Sequence, residues 1–211
     1  MATDGPHNLT SRFLPAAVLL ACWVAALALA AFRVPVWAGG GGQSERLALH
    51  FVAVCQVVSC GLVLPMLRRP AAAGLLAAAS AGLVLVPAGH LAGSGWGAVG
   101  WCWLVVGVWS AAFAVPVGGW ASARQARAML AAGLVLLGPV LVYVKQDYGT
   151  GVESGWWSAL PTVGAASTAG GGEAWRCLVA GGFLLIGGIF SSSSTFFSRL
   201  RQVVHHRKGV V

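Results

Sequence analysis

Charge is what this sequence has least of. Lys, Arg, Asp and Glu together make up 9% of its 211 residues, where a soluble domain carries about a quarter. An ordinary water-soluble globular domain is thereby excluded. Acidic groups are scarcer still, five in all, and no pair of them falls within an apolar stretch. General acid–base chemistry by paired carboxylates inside a membrane has no residues to use. The five cysteines (Cys22, Cys55, Cys60, Cys102 and Cys177) include no CxxC pair and are odd in number. They read as small apolar residues of the interior, not as a disulfide framework or a zinc site. There is no phosphate-binding loop and no dinucleotide fingerprint.

What remains is apolar. The chain is 58% hydrophobic with a mean hydropathy of +0.81, which places it among polytopic membrane proteins. Its 30 glycines do not argue against helices there. In lipid the backbone must satisfy its own hydrogen bonds, and small residues let helices approach closely.

Apolar runs of membrane length predict an all-α bundle of six transmembrane helices in a single domain, 1–211, with no soluble domain. The expected spans are 13–32, 47–66, 71–91, 97–117, 128–144 and 174–197. Between them lie a glycine-rich loop, Arg33 to Arg46, and a loop from Gly118 to Arg127. A long outer connection, 145–173, and a basic tail, 198–211, complete the chain. Gly138-Pro139 interrupts the fifth span, and Pro87, which lacks a backbone donor, should kink the third. The Ala-Gly surface of the third span (Ala71 to Gly74, Ala77 to Gly82) suits packing on a neighbouring helix. So do the small residues of the sixth (Ala180 with Gly187, Gly181 with Gly188).

Six spans put both termini on one side. That side would hold nine cations: Arg12, Arg68, Arg69, Arg124, Arg127, Arg199, Arg201, Arg207 and Lys208. The other would hold four, Arg33, Arg46, Lys145 and Arg176. The positive-inside rule then sets both termini in the cytoplasm or its equivalent. The net charge of +8 follows this topology and does not call for nucleic acid. The tail residues Arg199, Arg201, Arg207 and Lys208 could also touch anionic lipid or a soluble partner. Trp96, Trp156 and Trp157 gather at the outer boundary as interface aromatics, with the last two also suited to an interfacial or re-entrant segment.

Two ionisable groups fall well inside the expected spans, His50 and His90. They lie nineteen residues before and twenty-one after Arg69, so the helical rise sets them within about 3 Å of the same depth. Lys145 and Asp147 emerge at the same face, which makes His50, His90, Lys145 and Asp147 a candidate outer polar cluster, with Gln56 a further candidate. Intramembrane ionisable groups are functional candidates by default. Two imidazoles could ligate a b-type haem. A macrocycle needs its helices well apart, however, and the short Arg68-Arg69-Pro70 turn holds these close, so no cofactor is expected. Two nitrogens alone make a poor metal site. Ala92-Gly93-Ser94-Gly95 resembles in part the Gly-x-Ser-Gly serine of rhomboid-type intramembrane proteases. Ala92 replaces the first glycine, and no histidine on the sixth span can serve as base, so Ser94 is a weak nucleophile.

The expectation is a multi-pass integral membrane protein, a non-catalytic subunit or scaffold whose partners are the bilayer and other membrane subunits or further copies of itself. The alternatives are a small-solute transporter or channel with its site at His50, His90 and Asp147, and an electron-transfer subunit using the two histidines.

Overall fold

The structure is a computed structural model. It describes residues 7–38, 45–67, 70–115, 121–148, 159–166 and 175–190, except for the side chains of 7–13, 15–16, 33–38, 45–47, 121–124 and 142–148. Every extended element among the described residues is helical, and none is a strand. In chain order these are α1 (His7–Ala38), α2 (Glu45–Val63), α3 (Pro70–Leu91), α4 (Trp96–Ala114), α5 (Ala121–Tyr148) and α6 (Pro161–Ala166). A last helix, α7, covers Trp175–Phe190, and a 3-10 turn, Leu64–Met66, extends α2.

Among the described residues three helical stretches are long and apolar enough to cross a membrane: Ala48–Met66, Pro70–Leu91 and Trp96–Ala114. The apolar parts of the other long helices are shorter, Ala17–Phe32, Gln125–Leu141 and Trp175–Phe190.

Side-chain size on α3 is inverted relative to a soluble helix. Its buried face is built from Pro70, Gly74, Ala77, Ala81, Val84, Leu85, Ala88 and Gly89, recurring every three or four residues. Its outer face carries the larger groups: Leu75 is 71% exposed and Leu83 73%, while Ala81 is at 0%. In water that arrangement would waste the leucines. Against hydrocarbon it costs nothing, and the small inner face lets backbones close up.

The helix that closes up on α3 is α4, from the same chain. Added Cβ atoms at Gly74 and Gly89 would collide with Ala114 and Val99, which fixes α3 and α4 as antiparallel neighbours. The Ala-Gly surface expected to meet a neighbouring helix is therefore consumed inside the bundle. A Schellman turn ends α3: Gly93 has φ 57°, the Ser94 amide donates to the Gly89 carbonyl at 2.9 Å and the Gly93 amide to that of His90 at 3.1 Å. Only glycine takes that φ without penalty.

The packing also sets relative depth. The Gln56 amide donates to the Ala81 carbonyl at 3.2 Å, tying α2 to α3 near the middle of both. Gly181 seats against Val108 and Trp109, and Gly188 against Val115. Both pairs have the same offset (181 − 108 and 188 − 115), so α4 and α7 run parallel in a constant register. Extending that register puts Trp175, the first described residue of α7, beside Cys102 of α4.

Helix α6 packs among α2, α4 and α5. The connection 145–173 was expected as an outer loop; part of it is instead helical and buried, with Pro161, Thr162, Gly164 and Ala165 inside the bundle. Other boundaries shift as well. α1 begins at His7 and runs on to Ala38, through part of the expected loop, and α5 begins at Ala121, so Arg124 and Arg127 are helical.

Candidate functional site

Of the expected outer cluster, His50 is half-buried on α2 and His90 is exposed in the last turn of α3. Lys145 and Asp147 form the end of α5, which runs on to Tyr148 rather than stopping at 144; their side chains lie outside the described residues. So do Trp156, Trp157, Arg199, Arg201, Arg207 and Lys208. Trp96, the first residue of α4, is 78% exposed. Among the described residues no three of His, Cys, Asp and Glu come together as a group that could hold a metal ion.

What the fold does bring together lies around α6. Pro139, inside α5, has no N–H, so the carbonyl four residues earlier, Val135, loses its helical donor. Thr162 of α6 supplies one, its hydroxyl donating to the Val135 carbonyl at 3.4 Å. Gly138 makes room for it: any Cβ there would collide with the Thr162 hydroxyl. Gly138-Pro139, read in the sequence as an interruption, is thus the seat of an inserted helix. Proline frees the acceptor and glycine clears the approach.

Two cysteines hold the ends of the same segment. The Cys177 thiol of α7 donates to the Leu160 carbonyl at 3.6 Å, while it accepts from the Trp109 indole at 3.1 Å. The Cys102 thiol of α4 meets the Ala165 carbonyl at 4.0 Å. Both cysteines are buried, at 1% or less exposure. These are weak, uncharged tethers on a helix of six residues, far shorter than the 12–15 a helix needs to be even marginally stable alone. Nothing in the sequence marked Thr162, but the carbonyl freed by Pro139 was a legible signal that a donor had to come from elsewhere.

A second polar line crosses the bundle near its middle. The Trp23 indole of α1 donates to the Ser59 hydroxyl at 2.7 Å, and Ser59 donates to the Gln56 carbonyl at 3.0 Å. The Ser110 hydroxyl meets the Cys60 thiol at 3.3 Å. Gln56 itself is 0% exposed, and its side-chain oxygen has no hydrogen-bond partner among the described residues. A buried amide oxygen in that position loses its hydration without compensation.

At the opposite end Arg127 ties two helix ends together. Its guanidinium donates to the Pro65 carbonyl at 2.9 Å and to that of Val115. Pro65 lies in the turn that ends α2, and Val115 caps α4. A fixed cation there satisfies orphan carbonyls and meets the negative ends of two helix dipoles. The sequence reading counted Arg127 only as a topology charge. Comparison with protein-family models, with curated proteins and with solved structures finds no match to this chain.

Proposed function

We propose that this chain is a six-span integral membrane protein with both termini on the cytoplasmic side or its equivalent. It serves as a non-catalytic subunit or scaffold of a larger membrane assembly. The observation that carries the reading is a groove of about 500 Å³ on the outside of the bundle, lined by Ala78, Ala79, Trp103, Leu104, Gly107, Val108, Ala111 and Leu185. It runs along α3 and α4, and apart from Trp103 its lining is small and aliphatic, which is how transmembrane helices meet one another in lipid. Filling the groove with Ala79→Leu and Gly107→Leu is the test. In mild detergent the native chain should elute as an assembly larger than a monomer, and the double variant should lose it. A native chain that elutes only as a monodisperse, partner-free monomer overturns the reading.

A second reading, a small-solute transporter or channel, is favoured by one observation, the insertion of Leu160–Ala166 against a proline-broken α5. Irregular backbone at membrane depth is tolerated where protein buries it or where it lines a water-filled cavity, and transporters use both arrangements.

A further inference from the structure

We draw no further inference here: the strongest candidate, the apolar groove between α3, α4 and α7 on the outside of the bundle, belongs to the surface already described, and nothing in the structure shows which partner, a second copy of this chain or another subunit, covers it.

Discussion

Thr162 occupies the hydrogen-bonding position that Pro139 vacates: its hydroxyl meets the Val135 carbonyl at 3.4 Å, one helical turn below the proline. The two residues are twenty-three apart in sequence and form a single device. Replacing Thr162 by valine keeps the shape and leaves a buried carbonyl without a donor, at a cost of about 1–3 kcal/mol. Thermal unfolding in detergent should fall by about 2–4 °C for each kcal/mol lost in a chain of this length. In a Pro139→Ala background the helix regains its own donor to Val135, and Thr162→Val should then cost about 0.5 kcal/mol or less. A double-mutant cycle showing purely additive effects would remove the coupling.

Arg127 holds the ends of α2 and α4 through two carbonyls, and a point charge cannot reproduce that fork. Arg127→Lys should destabilise by about 1–2 kcal/mol, because at most one of the two carbonyls keeps a charged donor. Arg127→Met should cost more, since both carbonyls and both helix ends lose the cation. Equal stability of the lysine variant and the native chain in a denaturation series would show that the fork contributes nothing.

Gln56 has an unpartnered side-chain oxygen among the described residues, and its amide bond goes to a carbonyl already inside a helix. Gln56→Leu should therefore be neutral or stabilising by up to about 1 kcal/mol, because it removes a buried acceptor without orphaning another group. Loss of stability above that size would mean that the oxygen is engaged by something bound in the bundle.

His90 is exposed on α3 and His50 half-buried on α2. His90→Ala should change stability by about 0.5 kcal/mol or less, as surface substitutions do. The purified protein should be colourless. A reduced-minus-oxidised spectrum with a Soret band at one haem per chain, abolished by replacing either histidine, would make the chain an electron-transfer subunit instead.

The long helices were legible because uninterrupted apolar runs have few other ways to satisfy a backbone. The 47–66 and 71–91 stretches, for example, correspond to Glu45–Met66 and Pro70–Leu91. Amphipathic ends were not legible: Arg127 looks like a loop charge until α5 carries it onto the ends of α2 and α4. The Ala-Gly face of α3 was visible as a packing face, but composition cannot say whether its partner is another protein or, as here, α4. Least legible was α6. Six residues of Pro, Thr, Val, Gly and Ala have neither the length nor the periodicity of a helix. Only the freed Val135 carbonyl hinted that something had to come to it.

The α3–α4 seam decides what the chain can tolerate. Gly74 lies against Ala114 and Gly89 against Val99, with no room for a Cβ at either, while Leu75 and Leu83 of the same helix face outward. Tolerance along α3 is therefore the reverse of that in a soluble helix: its leucines can give way to other apolar side chains, and the residues that cannot change are the smallest ones.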